Sequence, residues 1–407
     1  MITAIKQKSS KLKITAIFIA TILVLASITA AFKAKELNRL YRVITLFDEN
    51  NIVENFRTMD EILPYQVIHK GQANFEFGSN IKSLPESFEF EGRDINVKEL
   101  FENTGTTGLI VIQDNDILFE EYYQGNNQDT LSISWSVGKS FVSALIGIAI
   151  DEGYIKDISS PVSEYVPALK DSGYEGVSLK NVLQMSSGVR FNEDYADFNS
   201  DINRMGRVIA LGSSINEFAA SLSSERQAGE YNHYVSMDTQ VLGMVLKETT
   251  GVSPSNYLEE KIWKKLGMQS DAKWLMDDAG MELAFGTLNV TLRDYARFGR
   301  LYMNYGNWDG QQIVPEAWVR SSVTPDAPHL QPGKNSLSTT TWGYGYQWWL
   351  PESPQGDFVA RGVYGQIIYV NPEKKTVIVK SAAYPEWTTT HESNDIIVAF
   401  FQLLANT

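Results

Sequence analysis

The stretch Ser134–Ile155 constrains the fold more than any other part of this 407-residue chain. It reads SWSVGKSFVSALIGIAIDEGYI, and Phe141, Val142, Ala144, Leu145, Ile146, Ile148, Ala149 and Ile150 make it apolar nearly all round. A helix of that kind has no face to offer water, so other elements must enclose it within a large domain. At its start stands a Ser-x-x-Lys, Ser136-Val137-Gly138-Lys139. Three residues is just under one helical turn, which puts hydroxyl and amine on one face. A serine there also meets the positive end of the helix dipole, which favours a developing alkoxide. A lysine drawn into an apolar interior gives up its charge more readily and can serve as a base. Ser136 is the candidate nucleophile.

The spacing alone is weak, because Ser10-Lys13 and Ser79-Lys82 repeat it. The first lies in a charged tail and the second in a polar stretch, FGSNIKSLPESF; only Ser136 opens a long apolar helix. A helix-capping serine beside a snorkelling lysine is the bland alternative. A second active-site reading takes Ser134-Trp135-Ser136-Val137-Gly138 as a variant G-x-S-x-G elbow. That elbow follows a buried strand and needs a later histidine; the preceding GNNQDTLSIS is mostly polar, and His391 is the histidine placed by order.

A net charge of -14 excludes the basic face of a nucleic-acid binder. With no cysteine there is no disulfide, thiolate metal site, cysteine nucleophile or lipidated cysteine. Neither a Gly-rich phosphate loop nor a His-rich metal motif occurs, so no metal or cofactor is expected.

A basic tail, residues 1–13, precedes Ile14–Phe32, which carries no charge and is long enough to span a bilayer. It is expected to be an uncleaved anchor to the inner membrane, or else a signal segment cut near Thr29–Ala31. The charge bias places the remainder on the periplasmic, extracytoplasmic side, secreted if the segment is cut. Residues 33–100 form an extension without a motif. Gly108–Gln113 and Ile117–Tyr123 flank Asp114-Asn115-Asp116 as a hairpin. Helices are expected over Ser178–Met185, Thr239–Thr249, Tyr257–Leu266, Thr291–Asn304 and Asn394–Leu404, several of them stopped by glycine. Gln366–Asn371 and Thr376–Ala382 flank Pro372–Lys375 as a second hairpin. A sheet domain, 101–156 with 284–407, would thus enclose a helical domain, 157–283. The class is α+β, an α/β sandwich whose antiparallel sheet joins strands from both ends of the chain between helices.

Three ordered motifs carry a resemblance over residues from about 100 to the end: Ser136-Val137-Gly138-Lys139, then Tyr234-Val235-Ser236 within GEYNHYVSMDTQ, then Ala360-Arg361-Gly362-Val363. Together they resemble the penicillin-recognising serine hydrolases, a β-lactamase/transpeptidase-like fold, and within them the class C β-lactamase-like branch of 6-aminohexanoate-dimer hydrolases and esterases. The resemblance implies that Ser136 forms an acyl-enzyme, that Lys139 helps remove its proton, and that Tyr234 passes a proton to the leaving group and activates the deacylating water. It also implies an oxyanion hole made by the backbone N–H groups of Ser136 and Val363. Such a phenol, near two cationic groups, is expected to ionise well below its usual ~10. Ser236 and Gly362 are expected to support the site. His233, adjacent to Tyr234 in an extended stretch, is expected to face away and be structural.

Where β-lactamases of this type carry Lys-Thr-Gly, this chain has Ala360-Arg361-Gly362. Arg361 could replace the carboxylate-binding charge, but one position along a strand it is expected to face the other way. The substrate implied is a small-molecule amide or ester rather than a β-lactam. A cell-wall D-Ala-D-Ala peptidase, a β-lactamase, and a catalytically silent binding or regulatory homologue are the alternatives.

Overall fold

The computed structural model describes residues 15–22, 33–388 and 392–407. Of Ile14–Phe32 it describes 15–22, a helix whose residues are all exposed; the rest of that span lies outside the described residues. Among the described residues no helix is long and apolar enough to cross a membrane, so the structure lends no support to the anchor expected from the sequence.

An eight-stranded sheet forms the frame. Its strands are β1 (Gly78–Ser79), β2 (Thr106–Gln113), β3 (Asp116–Tyr122), β4 (Gly343–Tyr344), β5 (Trp349–Leu350), β6 (Phe358–Gly362), β7 (Gln366–Asn371) and β8 (Thr376–Ala382). Their order is β4-β5-β6-β7-β8-β2-β3-β1. Strands from the two ends of the chain therefore meet at β8–β2, antiparallel, with Val377 opposite Ile112 and Ile378 opposite Val111. Both expected hairpins form, and β7 and β8 have the expected bounds. Only β1 pairs in parallel.

Both faces of the central strands are covered. Side chains alternate across a strand, so Ile110, Ile112, Ile368 and Val377 enter one core cluster and Leu109, Val111, Ile367 and Ile378 enter the other. Helix α6 (Leu292–Met303) closes the first face, and α7 (Glu392–Ala405) closes the second with Phe400 and Phe401.

The sequence-predicted buried helix is α3 (Gly138–Asp151), with every residue up to Ala149 buried. It stacks Phe141 on Phe298 of α6, centroids 3.6 Å apart. On its other side lies α5 (Ser236–Thr250), ended by Gly251 in the left-handed conformation, φ 70°. The expected Tyr257–Leu266 helix is instead Pro254–Leu258 continuing into a π turn, Glu259–Trp263.

The extension is ordered structure. Helix α1 (Ala34–Ile44) lies along α4 (Asp201–Ala210), and the short α2 (Ile52–Arg57) follows it. Arg39 is buried; its Nε donates to the Ala210 carbonyl, and its two terminal nitrogens bond the Asp278 carboxylate at 2.7 and 2.8 Å. A bidentate arginine–carboxylate pair fixes orientation as well as position. Tyr65–Ile68 then adds to a small second sheet beside Ala272–Leu275.

Candidate active site

Ser136 occupies the middle of a single 3-10 turn, Trp135–Val137, rather than the α-helix proper, and Lys139 is the second residue of α3. Lys139 Nζ lies 3.1 Å from Ser136 Oγ and 3.3 Å from Ser236 Oγ, and it donates to the Phe285 carbonyl. Tyr234 lines the same cavity as Ser136, and its ring lies 5.4 Å from Lys139 Nζ. Groups from three distant parts of the sequence, residues 136–139, 236 and 285, thus meet around one amine.

Burial lowers the Lys139 pKa to about 7, although Glu193 and Asp238 pull it upward. A neutral amine has two N–H donors and one lone pair. The Phe285 carbonyl can only accept, Ser236 Oγ can take the second N–H, and the lone pair is left for the Ser136 hydroxyl. The three contacts satisfy the neutral form completely.

Tyr234 departs from expectation. Burial, reinforced by Glu193, raises its pKa well above the usual value, and the Ser136 hydroxyl and the charge of Arg361 only partly offset this. The phenol is held protonated, because the nearby carboxylate and the dry surroundings outweigh the cations.

Two carboxylates escaped the sequence reading. Glu193 is half-buried; its Oε1 accepts from the Ser236 backbone N–H, and its Oε2, shielded from solvent, has no partner. Burial raises its pKa. Asp238 is fully buried on the first turn of α5, accepts from the Tyr174 hydroxyl at 2.9 Å, and has its pKa raised to about 8 by burial. A lone acid within the apolar run SMDTQVLGMVL was a readable sign of Asp238, whereas Glu193 sits in a polar loop among other acids and gave none.

The end of β6 lies against Ser136. A Cβ at residue 362 would stand 2.6 Å from the Ser134 carbonyl oxygen and 3.1 Å from the Ser136 nitrogen. Gly362 has an ordinary extended backbone, φ -126°, so glycine is required there for space. Val363 follows it and lines the cleft with Ser136.

Trp135 and Tyr364, next in sequence to Ser136 and Val363, both hold positive φ, 42° and 62°. That conformation is strained for bulky residues and persists only where surroundings enforce it. Here the enforcement comes from the extension: Phe47 stacks on Tyr364 at 4.5 Å and meets Trp135 at 5.7 Å, while Phe56 meets Trp135 at 5.3 Å and Tyr364 at 5.5 Å.

Arg361 does not face away. It lines the same cavity as Ser136 and Tyr234, its guanidinium 4.1 Å from the Trp342 ring centroid and 5.2 Å from Trp349, while Ala360 enters the core. Alternation along β6 holds with the opposite phase. Burial lowers the Arg361 pKa to about 10, which leaves it charged. Of the histidines, His233 meets the Phe191 carbonyl, buried His329 meets Ser186 Oγ, and His69 meets Asp271. His391 lies outside the described residues, as does Ser10–Lys13. Ser79 of the third Ser-x-x-Lys is exposed. Among the described residues no group of three or more acids or histidines could share a metal ion.

A helix-flanked antiparallel sheet bearing a buried Ser-x-x-Lys pair defines the class, and the chain belongs to the beta-lactamase family: the family model described as Beta-lactamase matches residues 96–401. It is 31% identical over 304 residues to the 6-aminohexanoate-dimer hydrolase of Paenarthrobacter ureafaciens, covering 73% of this chain and 77% of that one. A solved structure from Bacillus anthracis, provisionally described as a 6-aminohexanoate-dimer hydrolase, superposes with a TM-score of 0.80 at 23% identity, covering 88% of this chain and 95% of that one. The D-stereospecific amidohydrolase from Streptomyces sp. shares the fold at a TM-score of 0.52 and 15% identity, over 70% of this chain and 92% of that one. The protein is a hydrolase of this family.

Proposed function

We propose that the protein hydrolyses a small-molecule amide or ester through an acyl-enzyme on Ser136. The observation that carries this reading is the buried Lys139 amine, its pKa lowered to about 7, 3.1 Å from the Ser136 hydroxyl. In acylation, Ser136 Oγ attacks the carbonyl carbon while neutral Lys139 takes its proton. The carbonyl π electrons move to oxygen, which the N–H groups of Ser136 and Val363 receive; each such donor is worth about 10²–10³ in rate. Tyr234, held as a neutral phenol, donates its proton to the leaving nitrogen or oxygen as the bond to carbon breaks. The proton on Lys139 returns to Tyr234 through water. A second water then attacks the acyl carbon and gives its proton to neutral Lys139; the bond from that carbon to Ser136 Oγ breaks as Lys139 passes the proton to Oγ, which releases the acid and restores the serine. Ser236 keeps the lysine oriented.

Arg361 and its two tryptophans contact the leaving-group side. With Ala360-Arg361-Gly362 in place of Lys-Thr-Gly, linear amides and esters are better substrates than β-lactams. The uncharged run Ile14–Phe32 supports an amino-terminal anchor or signal segment with the hydrolase outside the cytoplasm; the mass of the mature amino terminus tests that.

A fluorophosphonate probe tests the chemistry. It is expected to label Ser136 and to lose labelling in Ser136→Ala; no labelling of the native protein would sink the proposal. Rates on p-nitrophenyl esters, a linear amide dimer and nitrocefin then rank substrates, and fastest turnover of nitrocefin would overturn the demotion of β-lactams.

A further inference from the structure

Ser136 stands where two cavities meet, and their linings differ. One, of about 480 Å³, holds Tyr234, Arg361, Glu193, Trp342 and Asp395. The other, of about 320 Å³, is walled on one side by Val43, Leu46, Phe47, Met59 and Leu63 of the extension. Ile202, Met205 and Ile209 of α4 face them. Its size lies at the lower end of the ~300–1,000 Å³ typical of small-molecule sites. Ser136, Tyr195 and Val363 line both.

Tyr234 lines only the polar cavity. A proton donor must reach the atom it protonates, so the leaving group has to occupy that side. The acyl group, on the other side of the carbonyl carbon, then runs into the apolar cavity. We infer that the segment Val43–Leu63 builds one wall of an acyl-binding pocket that selects an aliphatic acyl chain over one ending in an ammonium, an assignment that rests on the hydrolase reading above. Arg207 is the one charged residue among the described lining of this cavity. It is already committed, donating to the Phe198 carbonyl at 2.7 Å and lying 4.0 Å over the Phe198 ring. Asn203 is likewise engaged, with the carbonyls of Tyr195 and Asp197. An acyl chain ending in an ammonium would lose its water there and meet no opposite charge, only the like charge of Arg207. The Val43–Leu63 wall precedes residue 96, where the family match begins, whereas the facing α4 wall lies within the match, so the extension adds one side of the pocket to the shared frame.

Esters with one common leaving group isolate the acyl side. Full-length protein would be assayed on p-nitrophenyl acetate, butyrate, hexanoate, octanoate and 6-aminohexanoate, beside fluorophosphonate labelling. The expected result is kcat/KM rising about fourfold per added methylene until the pocket fills, with the ammonium-ended ester at least tenfold slower than hexanoate. Met59→Trp narrows the pocket and should move the optimum to shorter chains. Should that variant fail to fold, Ile44→Asp at the exposed mouth, where Ile44 is 53% exposed, should shrink the penalty on the ammonium-ended ester severalfold. Labelling of Ser136 together with a flat length dependence, or with no ammonium penalty, overturns the pocket assignment alone. Failure to label overturns the hydrolase reading and the pocket with it.

Discussion

On one side of Ser136 the wall is made by β6, Trp349 and the loop that carries Tyr234 and leads into α5, all within the family-matched region. Those residues present a phenol and a guanidinium, and Glu193, Asp194 and Asp395 add carboxylates. On the other side one wall is made by α1 and the residues after it, which present aliphatic side chains and Phe47 to α4. The polar wall can move protons and hold charge. The apolar wall can do neither, yet its Phe47, with Phe56 of the same extension, grips the two residues beside the proposed oxyanion donors. On the proposed reading, reaction chemistry rests on the family-matched region, while the extension shapes one side of the substrate cleft and braces the other.

The sharpest way to break this division is to remove a polar group. Lys139→Met should lower kcat/KM by about 10³-fold or more, since loss of one member of a nucleophile–base pair costs nearly as much as loss of both. Tyr234→Phe should cost about 10²–10⁴-fold, the range for general acid–base catalysis. Both are read with a short-chain ester that barely uses the apolar pocket. Retention of most activity by either variant would remove that residue from the mechanism.

Next in size is Gly362→Ala. The added methyl collides with backbone at Ser134, which cannot swing aside as a side chain can, so β6 must withdraw from Ser136. Loss of one aligned oxyanion donor predicts a fall in kcat of about 10²-fold. Thermal unfolding should change far less, because the sheet register behind the strand end is untouched. An unchanged kcat would place the donors elsewhere.

Phe56→Ala sharpens the claim that the apolar side acts on the polar one. Deleting a buried phenylalanine, here 5% exposed, costs about 3–5 kcal/mol of stability. If the ring also holds Trp135 and Tyr364 in their strained conformations, kcat on the short ester should drop by about tenfold with little change in KM. Phe56→Leu should restore much of the stability while recovering less of kcat. A variant that only melts earlier would reduce the brace to ordinary packing.

What could be read from the chain follows the same division. The hairpin Gln366–Asn371/Thr376–Ala382 was visible because a Pro-initiated turn separates two β-branched runs, which is local information. The trio Ser136, Lys139 and Tyr234 was visible because each sits in a short ordered motif. The phase of Arg361 was not, since alternation says which residues share a face of β6 but not which face borders the cleft; that depends on Trp342 and Trp349, which arrive from another loop. The extension was less visible still. Arg39 looks like a surface residue of an amphipathic helix until Asp278, 239 residues on, is placed beside it. The ionisation of Tyr234 was misjudged because its cations were in sequence motifs while the opposing carboxylate, Glu193, was not.

That carboxylate supplies the smallest and most specific prediction. With Lys139 titrating near 7, kcat/KM on a neutral ester should fall tenfold per pH unit below about 7 and level off above it, because only the neutral amine accepts the Ser136 proton. Glu193 acts on Lys139 more strongly than Asp238 does, and it favours the ammonium. Glu193→Gln keeps an oxygen for the Ser236 N–H but removes that charge. The ammonium is then less favoured, so the acidic limb should move to lower pH by several tenths of a unit while the plateau stays within a few-fold. Relieved of the same charge, Tyr234 should lose its proton more readily, so any alkaline limb should also move down. If the acidic limb moves upward instead, the group that titrates near 7 is not an amine facing Glu193, and the polar side of the cleft requires a different base.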